Sequence, residues 1–117
     1  MYLPTEAEWL TAAHAADHAY PWGDEFDATK ANTKEGGLEQ NSPVHMYPSG
    51  ATPEDIYDLS GNVWEWSADW DEDKYPWLKG GWDGKDQAKS SARGWGAPHD
   101  TYGYGGFRCV VVPISRV

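Results

Sequence analysis

The chain has 117 residues, enough for one domain over 1–117, and its 19 acidic against 9 basic residues give a formal charge of −10. That balance argues against nucleic-acid backbones and anionic membranes as partners, which call for clustered Lys and Arg. One cysteine, Cys109, excludes an internal disulfide and a metal centre built on several thiolates.

The first predicted element is a helix over about residues 5–17. Thr5-Glu6-Ala7-Glu8 reads as a capping box, with the Thr5 hydroxyl accepting from the Glu8 amide and the Glu8 carboxylate returning to Thr5. Pro4 and Trp9 occupy the staple positions, and Tyr20-Pro21 stops the helix. His14 and His18 lie i, i+4 on it, but Ala15 stands where a zincin motif needs Glu, so they read as two exposed histidines. Residues 21–55 read as loop, with a short strand at Val44–Tyr47. Ile56–Leu59 and Val63–Trp70 read as strands. In the second, Trp64, Trp66, Ala68 and Trp70 share one face, the apolar one by period two, with Glu65, Ser67 and Asp69 opposite. Residues 71–106, rich in Gly, Asp, Trp and Tyr, read as a long functional loop. Asp69-Trp70-Asp71-Glu72-Asp73 imitates an EF-hand start, but Lys74 and Gly80 stand where Gly and Glu are required, which leaves a solvated acidic run. The last strand, Phe107–Val112, is continuously apolar and predicts burial on both faces, with Cys109 as a small buried hydrophobe. Eight Trp and seven Tyr amid 13 Gly and 8 Pro predict an irregular α+β fold held by aromatic side chains. The opening residues carry no signal-peptide pattern and no apolar run reaches membrane-span length, so the expected location is cytoplasmic or virion-associated.

Several segments, in order, resemble one family. They are Leu3-Pro4-Thr5-Glu6-Ala7-Glu8-Trp9, Tyr20-Pro21-Trp22-Gly23-Asp24, Ala31-Asn32-Thr33, Ser42-Pro43-Val44, Ile56 to Trp66, Lys79-Gly80-Gly81-Trp82, Ser91-Ala92-Arg93 and Gly106-Phe107-Arg108-Cys109. Together they resemble the formylglycine-generating-enzyme, or sulfatase-modifying-factor, domain. The resemblance implies a C-type-lectin-like α+β fold, irregular and loop-rich, with short antiparallel strands and one or two helices. It covers nearly the whole chain, but family domains usually carry a substantial portion before the Leu-Pro-Thr-Glu motif. Oxidising members bind copper(I) through two cysteines between the Gly-Gly and Gly-Phe-Arg motifs. Residues 82–93 have none, and Asp, Lys and Ser are no substitute for soft ligands. No copper and no formylglycine-generating activity are therefore expected.

The resemblance also implies calcium, held by Asn62, the Val63 carbonyl and Glu65, with a second site on Asn32. A turn offering amide, carbonyl and carboxylate oxygens suits that cation. Trp82, Trp95, His99, Asp100, Tyr102 and Tyr104 sit among glycines, the composition of binding loops. Variable proteins of diversity-generating retroelements resemble this chain in the Gly-Gly…Arg…Gly-Phe-Arg ending. The leading expectation is a non-catalytic module displaying a binding surface, for phage or bacteria, toward a protein or carbohydrate ligand. The alternative is an enzyme fragment of the same family that needs a further N-terminal part. A remnant without its own role is a third reading. The apolar edge of Phe107–Val112 needs cover, either from another segment of the chain or from a second copy in a homodimer.

Overall fold

A computed structural model describes residues 1–70, 76–95 and 105–111, apart from the Trp95 side chain. The acidic residues Asp71, Glu72 and Asp73, the candidates His99, Asp100, Tyr102 and Tyr104, and Val112 lie outside the described residues.

Helix α1 spans Glu6–Ala12, and its capping box forms as the sequence predicts. Thr5 Oγ1 accepts from the Glu8 amide at 3.1 Å, and the Thr5 amide donates to Glu8 Oε1 at 3.0 Å. The helix is shorter than the expected 5–17. It ends at the Ala13 cap because His14 takes a left-handed φ of 57°. The His14 side chain meets Glu54 at 2.9 Å, and His18 lies 3.7 Å from Asp24, so the histidines have separate partners.

Four strands form one sheet: β1 Trp64–Trp70, β2 Pro76–Lys79, β3 Gly94–Trp95 and β4 Gly105–Gly106, in the order β3-β2-β1-β4. β1 runs antiparallel to β2, with Glu65 opposite Lys79 and Trp66 opposite Leu78, and parallel to β4. β2 lies inside the stretch expected to be structureless. The expected strands at Val44–Tyr47 and Ile56–Leu59 do not form. The first is a turn with Val44 exposed, and positive φ at His45, Asp55 and Asp58 breaks up both neighbourhoods.

β1 is inverted relative to its hydrophobic pattern. Glu65 and Ser67 are buried, whereas Trp64 and Trp66 are half-buried and Trp70 is exposed. The polar face packs inward because each group on it has a fixed partner, which burial demands. Ser67 donates to the Trp77 carbonyl at 2.8 Å, Asp69 Oδ2 accepts from the Glu6 amide at 2.8 Å, and Trp9 Nε1 donates to Glu65 at 3.4 Å. Among the described residues the central apolar cluster is small: Trp9, Ala13 and Leu59, with Leu10 and Ile56 against them, while Tyr20, Ala31, Leu78 and Ala88 are buried elsewhere.

The expected final strand is corrected too. Of its described residues only Val110 pairs, through two hydrogen bonds of 2.7 and 3.1 Å with Tyr2. Phe107, Cys109 and Val111 are exposed, because residues 107–109 form no ladder that would bury them. At Val110, then, the chain's own first segment supplies the cover. No helix among the described residues is long and apolar enough to cross a membrane.

Candidate functional site

Three loops converge below the Trp64 end of β1. The turn at Gly61 is possible only without a side chain, since φ is +83° and a Cβ would stand 2.6 Å from the Asn32 carbonyl oxygen. That approach lets the Asn62 amide donate to the Asn32 carbonyl at 2.8 Å, while the Gly61 amide donates to Gly80 at 3.1 Å. Gly81 is required for another reason: a Cβ there would run into the Trp64 indole.

Asn62 is the hub. Its Oδ1 accepts from the Ser42 amide at 2.8 Å, from Ser42 Oγ at 3.1 Å and from Asn32 Nδ2 at 3.4 Å. Asn32 Nδ2 also donates to the Gln40 carbonyl at 2.8 Å. The asparagines expected at two calcium sites are thus tied to each other and to Ser42, and the Asn62 oxygen is spent on holding three loops together.

Asn62 borders two cavities. One, of about 310 Å³, is lined by Asp58, Val63, Glu65, Arg108, His45 and Tyr57 among others. Here Glu65 is 3 % exposed and gripped by Arg108, whose Nε reaches Oε1 and whose Nη2 reaches Oε2 at 2.9 Å. Arg108 Nη2 also donates to the carbonyls of Tyr57 and Asp58 at 2.9 and 3.1 Å. Burial pushes the Glu65 carboxyl up, and Arg108 opposes that shift. The Glu65 carboxylate expected to bind calcium therefore already has a cationic partner. Asp58 sits beside it, raised chiefly by desolvation, and its Oδ2 is buried without a hydrogen-bond partner. Asp58 and Glu65 are close enough for the charge of Asp58 to raise Glu65 further.

The second cavity, of about 350 Å³, lies on the other side of Asn62, against Trp82. Trp82 is the one expected ligand-binding side chain that falls within the described residues. Trp95 contributes backbone to β3, opposite Trp77. Asp58, Thr33 and Arg108 escaped the sequence reading as site residues. All three stood inside quoted motifs, so the signal was the motif itself, but nothing in linear order pairs residues 43 positions apart such as Glu65 and Arg108.

The sulfatase-modifying factor enzyme 1-like domain model matches residues 1–113. The chain belongs to that family. It is 38% identical over 78 residues to the inactive Cα-formylglycine-generating enzyme 2 of Bos taurus, which covers 56% of this chain and 26% of the relative. It is 39% identical over 84 residues to the formylglycine-generating enzyme of Thermomonospora curvata, covering 58% and 27%. The chain thus spans about a quarter of the length of these relatives. Among solved structures it resembles Treponema denticola variable protein 1, with a TM-score of 0.77, 24% identity, and coverage of 90% of this chain and 45% of that one. It also resembles PvdO from Pseudomonas aeruginosa, with a TM-score of 0.72, 26% identity, and coverage of 90% and 50%. The fold is accordingly the C-type-lectin-like α+β fold of this family.

Proposed function

We propose that this sulfatase-modifying-factor domain is a non-catalytic binding module, its ligand surface lying around Trp82. The observation that carries the reading is the thiol inventory. Cys109 is the single cysteine, so the stretch between Gly81 and Gly105 offers no thiolate pair for copper(I). Relatives named as inactive, and the likeness of fold to a variable protein, support it. Relatives named as formylglycine-generating enzymes favour the rival, catalytic reading. Incubation with a cysteine-containing sulfatase peptide, copper and oxygen separates the two. No aldehyde above a metal-only control is expected, and aldehyde formation overturns the proposal.

Calcium belongs to this proposal with a redrawn donor set. Asn62 does not fit, since its Oδ1 already accepts from Ser42 and Asn32, and Asn32 enters the same knot through its Nδ2. Asp58 does fit: an orphaned, buried carboxylate oxygen beside Glu65, in a cavity bounded by Val63, suits a hard, oxygen-seeking cation. Calcium bound there would neutralise the carboxylate pair and clamp the 58–65 turn. Among the described residues no three His, Cys, Asp or Glu side chains converge, so the remaining oxygens would come from backbone or water. Thermal unfolding with and without millimolar calcium tests this. The parent should gain stability as RT ln(1 + [L]/Kd), about 2.7 kcal/mol at a hundredfold excess over Kd. Asp58→Asn, which tolerates the φ of 56° at that position, should lose the response. An unmoved midpoint in the parent rejects the site.

For self-association through the Phe107–Val112 segment, the exposed Phe107 and Val111 side chains are the basis among the described residues. Light scattering decides it: Val111→Lys should dissociate a dimer and leave a monomer unchanged.

A further inference from the structure

A cavity of about 350 Å³ lies beyond the end of α1 and shares no lining residue with the two cavities that border Asn62. His14, His18, Lys30 and Ser49 line it, and none of the described residues lining it is acidic. That is a local reversal in a chain with a formal charge of −10. The backbone builds the arrangement. The His18 amide donates to the His14 carbonyl at 3.0 Å, which holds both imidazoles at this end of the helix. Gly50 ends the turn Pro48–Gly50, and a Cβ there would stand 1.9 Å from the Lys30 carbonyl oxygen. Only glycine therefore lets that turn bring Ser49 up to Lys30.

The donors in this cavity are accessible and uncommitted. The Lys30 side chain has no hydrogen bond or ion pair among the described residues, and Asp27 acts on it only through charge. His14 uses Nε2 on Glu54 at 2.9 Å, and His18 has Nδ1 3.7 Å from Asp24. His14 Nδ1 and His18 Nε2 are left over, on side chains 30 % and 46 % exposed. Ser49 is exposed, and its hydroxyl has no partner among the described residues. Thr52 is not counted, since its hydroxyl accepts from the Ile56 amide and bonds Glu54.

These donors select what enters. Lys30 repels a cation. A carboxylate has two acceptor oxygens in one plane, whereas the donors stand on three segments, at residues 14 and 18, 30 and 49. A phosphate monoester offers three strong acceptor oxygens and about −1.5 to −2 charges, and lysine serves it as a point charge. Glu54 and Asp24 are mostly exposed and touch the far nitrogens of the two rings, where they keep a proton. Each leftover nitrogen then donates only when its ring is protonated, so the ligand takes up a proton as it binds. We infer that this cavity binds a phosphate monoester, held by the Lys30 ammonium, the Ser49 hydroxyl and the imidazoles of His14 and His18.

The test follows imidazole ¹H–¹³C and backbone ¹H–¹⁵N spectra of the full chain, at about pH 6, during titration with methyl phosphate in the millimolar range. Acetate, methylammonium and a single-stranded oligonucleotide are the controls. Methyl phosphate should give saturable shifts at both imidazoles and at the amides of Lys30 and Ser49. Acetate should bind at least tenfold more weakly and methylammonium not at all. The oligonucleotide should not bind, because its diesters carry one charge each and the chain repels a polyanion. Lys30→Gln should weaken binding about tenfold or more, the worth of a charge-assisted hydrogen bond, and leave the melting temperature where it was. Affinity should fall from about pH 6.5 to 8, where imidazoles ordinarily lose their protons, and His18→Gln should flatten that fall. Glu54 faces His14, Asp24 faces His18, and Lys30 with Asp27 beside it faces both, but carboxylates and ammoniums ordinarily keep their charge across that range. Absence of saturable shifts with methyl phosphate on a chain with a dispersed spectrum overturns the inference. So does affinity unchanged in Lys30→Gln, affinity that does not fall with rising pH, or acetate, methylammonium or the oligonucleotide binding as tightly as the ester.

Discussion

Two buried carboxylates organise this fold, and they are held in opposite ways. Glu65, on β1, has one forked partner, Arg108, inside a nearly closed environment. Glu6, on α1, has two. Arg93 pairs with it through both Nε and Nη2, and Lys79, itself 0 % exposed, lies 3.5 Å away and donates to the Ala92 carbonyl at 2.7 Å. Both pairs link segments far apart in sequence, the Leu-Pro-Thr-Glu segment to Ser-Ala-Arg and the Trp-Glu-Trp segment to Gly-Phe-Arg. The difference lies in redundancy and solvent. The Arg93 side chain is 49 % exposed and the Arg108 side chain 31 %, and Glu6 keeps a second cation if one is lost. In a chain whose central apolar cluster among the described residues is Trp9, Ala13 and Leu59, such pairs fix which loops meet. Their net contribution to stability is smaller than the damage done by breaking them, since each ion has given up its hydration.

The sharpest break of the comparison is Arg108→Ala. It leaves Glu65 either charged without a cationic partner or forced to take up a proton, and it frees the Tyr57 and Asp58 carbonyls. Removing one member of a buried pair costs about 3–5 kcal/mol, so urea denaturation should show a loss of that order. Glu6→Gln comes next. It strands Lys79, whose pKa burial already lowers, but Lys79 retains the Ala92 carbonyl and its place 5.3 Å from the Trp9 ring. A loss of about 2–3 kcal/mol is expected, with the Lys79 ammonium titrating lower than in the parent by NMR. Thr5→Ala removes the cap of the same helix and should cost about 1 kcal/mol in the same denaturation experiment.

How legible all this was in the sequence varied with the range of the interaction. The capping box at Thr5 and Glu8 is local, and it was read correctly from four residues. The early end of α1 was not, because nothing local forces His14 into the left-handed region. The inversion of β1 was hidden for a deeper reason. Period-two counting assigns the apolar face inward, but Glu65 and Ser67 are buried and Asp69 half-buried by partners from α1, β2 and residue 108, and none of these is a neighbour in sequence. The same holds for the site. Asn32 and Asn62 were visible as motif residues, whereas their bonding to each other through Ser42 appears only when three loops meet. Asp58 and Thr33 were missed because an orphaned oxygen is a property of surroundings, and composition does not record it.

The smallest expected effect refines the contrast most. Arg93→Gln removes the solvent-facing partner of Glu6 and leaves the buried one. The guanidinium also lies 4.6 Å from the centre of the Trp77 ring, so the change gives up a cation–π contact as well as an ion pair. Both are screened at a half-exposed site, and about 0.5–1 kcal/mol is the expected loss at neutral pH. Its acid profile carries more information. The hydrogen bond from Arg93 is the largest influence lowering the Glu6 carboxyl below its ordinary 4.5, ahead of burial, which raises it, and of the charge on Lys79. A carboxyl depressed in the folded state contributes stability that is present above its unfolded pKa and is lost as pH falls through the folded one. The parent should therefore hold the Glu6 contribution into more acidic solution than the variant does. In Arg93→Gln, with burial opposed by Lys79 alone, the loss should begin at higher pH, and the gap between the two stability curves should change most just below pH 4.5. Curves that stay parallel through that range would mean that Lys79, not Arg93, sets the ionisation of Glu6. The two carboxylates would then be alike, each governed by a single cation.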